Sequence, residues 1–225
     1  MTPRRRVRYA LAALLTLTAT AACSAPPSPS ADEFLESVVG VEAAGCSLVA
    51  AIGSGTILEA RQVVTSAHTV AGADDISVID ANGQALSATL VAFDPDKDLA
   101  VLSVPGLAEA PLTLGRADGE ESGWVIAWNR DEGAHSDPTT VTKRIQVSIE
   151  DIYVDEVVER GAIEIAADIT PGDSGGAVIT SDGDVVGLIY ATSRSRAAGF
   201  ALNDEEIRAV LATAADEPVD SGPCP

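Results

Sequence analysis

Short runs of β-branched and apolar residues, separated by turn residues, follow one another along most of the chain. Many short strands with Gly, Asn and Asp between them are typical of all-β sandwiches and barrels. Asn82-Gly83 and Asp182-Gly183 have the residue types of tight hairpin turns. The predicted strands cover residues 47–58, 62–65, 76–80, 86–93 and 99–104 in a first series, and 123–128, 141–154, 162–166, 177–180, 185–191 and 199–202 in a second.

The pattern changes at two places in the folded part of the chain. Residues 114–123, rich in Gly and acidic residues, separate the two strand series. After the last strand, Asn203 can serve as a helix N-cap with Glu206 as its capping-box partner, and apolar residues recur at helical spacing from Ile207. We therefore predict one helix, over about residues 204–215.

The N-terminus differs from the rest of the chain. Four arginines within residues 4–8 precede an apolar run over residues 10–17 and small residues up to Ala22, the order of a secretory signal peptide. The apolar run is shorter than the roughly 18 to 20 residues that a membrane span needs. We therefore expect residues 1–22 to direct export and to be removed.

Cys23 follows the predicted cleavage point. The segment from Thr20 to Cys23 resembles the lipobox of bacterial lipoproteins, whose cysteine becomes the lipidated first residue, although Thr20 departs from the usual Leu. A Pro/Ser-rich stretch (SAPPSPSA) follows and is typical of a flexible tether, so we assign residues 23–33 to the anchor and tether. The alternative is an ordinary signal peptide, cut near Ala22 or Ala25, and a freely secreted protein.

Acidic residues dominate the charge. There are 34 Asp and Glu against 14 Lys and Arg, and removing residues 1–22 would take the formal charge from −20 to −24. This excess argues against nucleic acid and anionic lipid as partners, so the only expected membrane contact is a lipid on Cys23. The acidic surface either serves solubility or attracts cationic peptides, and we expect a monomer.

Cys46 and Cys224 stand near the two ends of the folded part. In an exported protein, an even pair of cysteines indicates a disulfide. Two free thiols are the alternative.

Ser174 lies in the most informative stretch, from Pro171 to Gly176 (PGDSGG). Glycines on both sides let the backbone turn tightly and leave a hydroxyl exposed among free N–H groups, as an acyl-transfer nucleophile needs. Alone, this run could also be an ordinary β-turn.

A histidine and an aspartate could complete this chemistry. His68 ends an apolar strand and could act as the general base that a serine needs near neutral pH, or it could be a structural histidine. His135, in the polar loop 131–139, is predicted to be solvated. Of the three acids before the buried run at 99–104, only Asp98 directly precedes it, so we choose Asp98 to orient the imidazole.

The order His68, Asp98, Ser174 is one of three in which such a triad is known to arise. Together with TSAH at His68, DLAVL at Asp98 and PGDSGG at Ser174, it resembles the chymotrypsin-fold, trypsin-like serine peptidases. Within that superfamily the chain is most similar to the protease domain of the actinobacterial membrane-anchored acid-resistance serine proteases, through GSG at 53–55 and the closing SGPC, among others. Those relatives carry several membrane helices before the domain, whereas here only the predicted signal peptide and Cys23 precede it.

The resemblance implies an all-β fold of two six-stranded antiparallel barrels followed by the helix. The barrels would cover about residues 37–116 and 120–202, within a protease domain over residues 34–225. The resemblance independently implies the bridge between Cys46 and Cys224.

The resemblance also implies a role for each site residue. Ser174 would be the nucleophile, His68 the general base and then acid, and Asp98 the orienting carboxylate. The backbone N–H groups of Gly172 and Ser174 would form the oxyanion hole. No metal or organic cofactor is expected, because nothing in the sequence has metal-ligand spacing.

Asp168 raises the question of specificity. It lies six residues before Ser174, where tryptic relatives carry the acid at the base of their specificity pocket, and this would favour a basic residue before the scissile bond. Alternatively, Asp168 makes a structural hydrogen bond. Tyr190, Ala191 and Thr192 would line the pocket wall.

These residues predict a secreted serine endopeptidase that hydrolyses peptide or protein substrates through an acyl-enzyme. The alternative from another class is a catalytically silent, protease-fold peptide-binding protein, against which the intact triad argues. An esterase of the α/β-hydrolase type would need alternating helices and a Gly-x-Ser-x-Gly elbow, which the single predicted helix does not fit.

Overall fold

The first six strands form a closed antiparallel barrel in the computed structural model, which describes residues 30–193 and 195–225. These strands are β1 Val38–Ala44, β2 Ala51–Glu59, β3 Gln62–Thr65, β4 Asp75–Ile79, β5 Ala85–Asp94 and β6 Leu99–Ser103. Their order is β1-β2-β3-β6-β5-β4, and pairing of β4 with β1 closes the barrel. A 3₁₀ helix, Ala31–Ser37, leads into β1. The predicted signal peptide, Cys23 and most of the tether lie outside the described residues.

The next six strands form a second barrel. They are β7 Glu121–Asn129, β8 Gly133–Glu150, β9 Val157–Ile165, β10 Ala177–Thr180, β11 Val185–Thr192 and β12 Gly199–Asn203. Their order is β10-β11-β12-β9-β8-β7, and β7 pairs with β10 to close the ring. The predicted all-β fold of two six-stranded antiparallel barrels is therefore confirmed.

Apolar side chains fill each barrel and the space between the barrels. Val41 and Leu102 lie in the core of the first barrel, and Ile163 and Ile189 in that of the second. A third cluster contains residues of both barrels and joins them, including Val38, Leu99, Ile126, Leu188 and Leu202. Because complete burial of one such side chain stabilises the fold by about 1.5–3 kcal/mol, the joint between the barrels is firm.

Both predicted hairpin turns are present. Asn82-Gly83 connects β4 to β5, and Asp182-Gly183 connects β10 to β11, with φ angles of 78° and 86° at the two glycines. A positive φ is cheap for glycine because it has no Cβ, which is why these dipeptides signal the turns.

The structure has two α-helices in its described part: a one-turn helix, α1, Ala67–Val70, and the C-terminal helix, α2, which spans Asp204–Leu211. The side chain of Asn203 caps it by accepting hydrogen bonds from the backbone N–H groups of Glu205 and Glu206. The predicted capping-box role of Glu206 is wrong, because its carboxylate instead accepts a hydrogen bond from Gly161 N–H, at 2.9 Å. The first turn is acidic, which suits the positive end of the helix dipole.

The helix ends four residues before the predicted Ala215. After Leu211 the chain turns and runs beside β5, where the N–H groups of Ala215 and Val219 donate to the carbonyls of Val91 and Leu90. These hydrogen bonds to the barrel replace further helical ones, a tertiary effect that periodicity does not reveal. No helix in the described part of the chain is long and apolar enough to cross a bilayer.

The C-terminal tail returns to the first barrel through a disulfide. Cys46, just after β1, is bonded to Cys224, with 5.6 Å between the two Cα atoms. The bridge spans 178 positions of the sequence, so it ties the tail of the second barrel to the first. In the chain-entropy treatment, closing so long a loop stabilises the fold by about 4 to 5 kcal/mol.

Three strands differ most from the predicted ones. Strand β1 is not among the predicted runs, β8 begins at Gly133 rather than at residue 141, and β9 begins at Val157 rather than at residue 162. The prediction of His135 as a solvated loop residue is therefore wrong. His135 lies in β8 opposite Ala127 of β7, and its side chain is only 18% exposed.

Candidate active site

His68 lies in a one-turn helix directly after β3. This helix, α1, spans Ala67–Val70, and Ser66 connects it to the end of the strand. The backbone N–H of His68 donates to Asp98 Oδ1 at 2.9 Å. The end of β3 and this hydrogen bond together fix the position of the His68 backbone, from which the imidazole extends.

Asp98 lies at the end of the turn between β5 and β6. Its backbone has φ +57°, a left-handed conformation that Asp tolerates better than most residues. The carboxylate is buried and lies 2.8 Å (Oδ2) and 3.0 Å (Oδ1) from His68 Nδ1. Because an ionised carboxylate only accepts, Nδ1 must carry the hydrogen, and in the neutral ring Nε2 keeps a free lone pair.

Opposing effects set the pKa of His68. Burial lowers it most, but the hydrogen bond to Asp98 and the charge of Asp98 together outweigh burial, so the pKa is raised above its ordinary 6.5. The positive charge of Arg160 acts in the other direction and lowers it. The imidazole therefore accepts protons more readily than a free histidine does.

Ser174 lies in the loop between β9 and β10, at the joint of the two barrels. Its carbonyl accepts a hydrogen bond from Ser54 N–H of β2, at 2.8 Å. Gly53 separates this carbonyl from Thr69, the neighbour of His68: a Cβ on Gly53 would lie 3.1 Å from Ser174 O and 2.8 Å from Thr69 Oγ1. The close approach of the Ser174 loop to the His68 helix thus requires glycine between them.

Ser54 holds the loop from the first barrel. Its fully buried hydroxyl donates to Gly172 O at 2.8 Å and accepts from Trp128 N–H at 2.8 Å. Carbonyls on both sides of Asp173 are therefore anchored to one residue of β2. Among the described residues, neither Gly172 N–H nor Ser174 N–H donates a hydrogen bond to a protein atom.

Asp173, next to Ser174, is also buried. Its Oδ2 accepts from the backbone N–H and the hydroxyl of Thr170, at 2.7 and 3.0 Å. Its Oδ1 has no hydrogen-bond partner among the described atoms, and Nε2 of His135 lies 3.5 Å away from it. Asn129 Nδ2 lies 3.3 Å from the other nitrogen of that ring.

A cavity of about 200 Å³ opens beside Ser174. The predicted wall residues Tyr190, Ala191 and Thr192 line it. The segment 169–171 and Ser174 itself complete the lining, whereas Asp168 is exposed and does not belong to it. The burial that the tryptic reading of Asp168 requires is thus absent from this structure.

Sequence reasoning missed three residues of the site. The sequence pattern gives Ser54 no role beyond the GSG segment, and it predicts His135 to be a loop residue. Arg160, in β9, is only 2% exposed and donates from Nε to Asp96 O, in the turn that presents Asp98, at 2.6 Å. The one sequence signal for Arg160 is a charged residue directly before an apolar run. In residues 30–193 and 195–225, no three His, Cys, Asp or Glu side chains converge as metal ligands.

Known proteins are similar to this chain in sequence. Residues 53–188 match the family described as "Trypsin-like peptidase domain". The "Serine protease Rv3671c" of Mycobacterium tuberculosis is 34% identical over 177 residues, which are 76% of this chain and 44% of that protein. A "Probable periplasmic serine endoprotease DegP-like" of Halomonas elongata is 36% identical over 141 residues, or 61% of this chain and 28% of that protein. The chain thus spans less than half the length of these curated relatives.

A solved structure has the same fold. The crystal structure of the active form of the Rv3671c protease from M. tuberculosis superposes with a TM-score of 0.83 at 31% identity, covering 88% of this chain and 89% of that one. The family match covers more than half of the sequence and contains His68, Asp98 and Ser174. The chain is therefore a member of the trypsin-like peptidase domain family.

Proposed function

We propose that the chain is an exported serine endopeptidase that cleaves peptide bonds through an acyl-enzyme. Ser174 is the nucleophile, His68 the general base and then acid, and Asp98 the orienting carboxylate. The observation that carries the proposal is the pair of close contacts from His68 Nδ1 to Asp98, beside the glycine-flanked loop of Ser174. Membership of a peptidase family supports it.

The reaction begins at the free Nε2 of His68. Nε2 takes the hydroxyl proton as Ser174 Oγ bonds to the carbonyl carbon of the scissile peptide, whose π electrons move onto oxygen. The protonated imidazole then gives its proton to the leaving amine as the C–N bond breaks, leaving an ester on Ser174. Water repeats the sequence: His68 takes its proton, the oxygen adds to the ester carbon, and Ser174 Oγ leaves with the proton.

Asp98 and the Ser174 loop stabilise the charges that form. The Asp98 carboxylate accepts from Nδ1–H and offsets the positive imidazolium. The N–H groups of Gly172 and Ser174 form the oxyanion hole, and the Ser54 contacts to Gly172 O and Ser174 O hold the loop in place. Each such donor typically contributes ~3 kcal/mol of transition-state stabilisation.

Replacing the nucleophile tests the proposal. Ser174→Ala should lower kcat on a defined peptide by several orders of magnitude and abolish labelling by a fluorophosphonate probe, because no other group can form the acyl-enzyme. Ser181→Ala, at an exposed serine in the β10–β11 turn, is the matched control and should keep both. Wild-type protein that binds peptides but neither cleaves them nor reacts with the probe would favour the catalytically silent alternative.

We further propose that the substrates are peptides or proteins and that the enzyme acts as a monomer. Cationic substrates would be favoured by the net charge, which is −24 once residues 1–22 are removed. Long-range attraction is screened by salt. For a cationic peptide, kcat/KM should therefore fall as ionic strength rises, while for a neutral peptide of equal length it should stay nearly constant.

Export and anchoring form a separate part of the proposal. Residues 1–22 would direct export, which the periplasmic placement in the name of the DegP-like relative supports, and a lipid on Cys23 would hold the protein at the outer face of the cell membrane. Metabolic labelling with a fatty acid should mark the wild-type chain, and Cys23→Ser should remove the label and release the protein. A soluble wild-type protein whose N-terminus is Ser24 or later would contradict the anchor.

A further inference from the structure

Arg160 is a buried cation that has no carboxylate partner among the described residues. It lies in β9 and is 2% exposed. No carboxylate oxygen of a described residue lies within 4.0 Å of its guanidinium, whereas the largely buried Arg144 on the neighbouring strand pairs with Asp204 at 2.7 Å. Charged groups are rarely buried unless paired, because desolvation is costly. The position of Arg160 therefore calls for a compensating role.

The contacts of Arg160 lead to the histidine–aspartate pair. Nε donates to Asp96 O at 2.6 Å, two residues before Asp98. The guanidinium carbon lies 5.6 Å from the centre of the Tyr190 ring, which lines the cavity beside Ser174. Arg160 thus touches both the turn that presents the carboxylate and the wall of the substrate cavity.

The turn before Asp98 needs such support. Asp98 has a left-handed backbone, which costs conformational energy unless its surroundings hold it. Asp94 accepts from Lys97 N–H at 2.9 Å within the turn, and the Lys97 side chain forms an ion pair with Glu206 of α2. Together with the Arg160 bond, two contacts from the second barrel and its helix therefore fix a turn of the first.

Arg160 also acts through its charge. The charged groups that influence His68 are Asp98, directly before β6, and Arg160, in β9; Asp98 raises the pKa of His68 and Arg160 lowers it. Tyr190 faces Arg160 from β11, and burial raises the pKa of its phenol, so the ring stays neutral. Removing the charge of Arg160 should therefore leave burial alone to oppose the effect of Asp98, and the pKa of His68 should rise.

We propose that Arg160 is a positioning residue for the reaction of Ser174, His68 and Asp98: its buried guanidinium ties the Asp98 turn to the second barrel and places a positive charge beside the histidine–aspartate pair. The inference rests on the proposed function, because it assigns Arg160 a part in that chemistry. It makes two separable statements, one about the hydrogen bond to Asp96 O and one about the charge.

Two substitutions separate these statements. Arg160→Gln removes the charge and keeps an N–H donor, so the acid limb of the kcat/KM profile should move to higher pH by on the order of half a unit. Arg160→Lys keeps the charge and loses the planar donor group, so kcat should fall about tenfold, with KM within twofold and the acid limb unmoved. The matched control is Arg144→Gln, which removes the same charge from a largely buried arginine on β8. It should keep the wild-type kcat and the wild-type acid limb of the kcat/KM profile.

An NMR titration of the imidazoles gives a readout that does not need activity. The chain has two histidines, so His135→Gln assigns the His68 signals, and their titration should move upward in Arg160→Gln. The inference would be overturned, and the proposed function would stand, if His68 titrated in Arg160→Gln as it does in the wild type and Arg160→Lys kept the wild-type kcat. If the Gln variant does not fold, the Lys variant decides by its kcat. A wild-type protein without peptidase activity would contradict the proposed function, and the titration alone would then decide whether Arg160 acts on His68.

Discussion

The two histidines of the chain each face a buried aspartate, one pair in each barrel. His68 Nδ1 contacts both oxygens of Asp98, at 2.8 and 3.0 Å, whereas His135 Nε2 lies 3.5 Å from one oxygen of Asp173. The His68 side chain is 38% exposed and that of His135 is 18% exposed. The same pair of side chains therefore occurs in an open and in an enclosed form.

The difference lies in the nitrogen that each ring leaves free. In His68 the carboxylate engages Nδ1, and Nε2 is left to exchange a proton with a substrate or nucleophile. In His135 one nitrogen faces Asp173 and the other faces the amide of Asn129, so neither is left for chemistry. Under the proposed function, His68 suits the part of general base and His135 does not, because only the ring of His68 has an open second nitrogen.

The largest effect is expected from Asp98→Asn. Asn tolerates the left-handed backbone of Asp98, but its amide cannot offset an imidazolium, so kcat should fall by about 10³ to 10⁴. The acid limb of kcat/KM should also move to lower pH, opposite to Arg160→Gln, because burial and Arg160 then act on His68 without Asp98. Asp96→Asn, at an exposed side chain of the same turn, is the control and should keep the wild-type rate.

The same variant has a consequence for stability. A histidine pKa raised by folding stabilises the protein below pH 6.5, and this contribution is lost as pH rises through the raised value. The loss of unfolding free energy in Asp98→Asn should therefore be greater in mildly acidic than in alkaline buffer. An equal loss in both, measured by urea unfolding, would mean that Asp98 does not raise the pKa of His68.

A smaller effect is expected at the enclosed pair. His135→Phe keeps an aromatic side chain and removes both ring nitrogens, leaving the buried Oδ1 of Asp173 without the nitrogen that faces it. Stability should fall by about 1 kcal/mol, and kcat by a few-fold, since Asp173 adjoins Ser174. Asp137→Asn, exposed on the same strand, should change neither. A loss of kcat as large as that of Asp98→Asn would show that the enclosed pair also takes part in the chemistry.

The sequence predicted most of this fold because most strands carry their own signal. Alternating apolar residues and the turns at Asn82-Gly83 and Asp182-Gly183 are local, and they are where the pattern predicts them. Strand β1 was missed because Gly40 interrupts its apolar run. That glycine is required by a distant residue: a Cβ on it would lie 2.7 Å from the Trp128 ring.

The site was predictable to the extent that its residues lie in motifs. His68, Asp98 and Ser174 were chosen from their neighbours in sequence. Arg160 and His135 could not be chosen in this way, because what matters about them is burial against a strand or turn far away in the chain. Local pattern gives no measure of such burial.

Asp168→Ser should have a smaller effect on activity than either Asp98→Asn or His135→Phe. Asp98 and Asp173 are buried against partners, but Asp168 is exposed and lies outside the lining of the cavity, where Ile169 stands instead. Solvent screens an exposed carboxylate, so the preference for Arg over Leu before the scissile bond should change by about threefold or less.

Asp182→Ser, in the exposed β10–β11 turn, removes the same charge away from the site and should have an equally small effect. Profiling all three proteins against a peptide library measures this preference directly. A loss of basic preference of thirtyfold or more, confined to Asp168→Ser, would place the Asp168 carboxylate against the substrate side chain, because only a desolvated charge pair contributes that much selectivity.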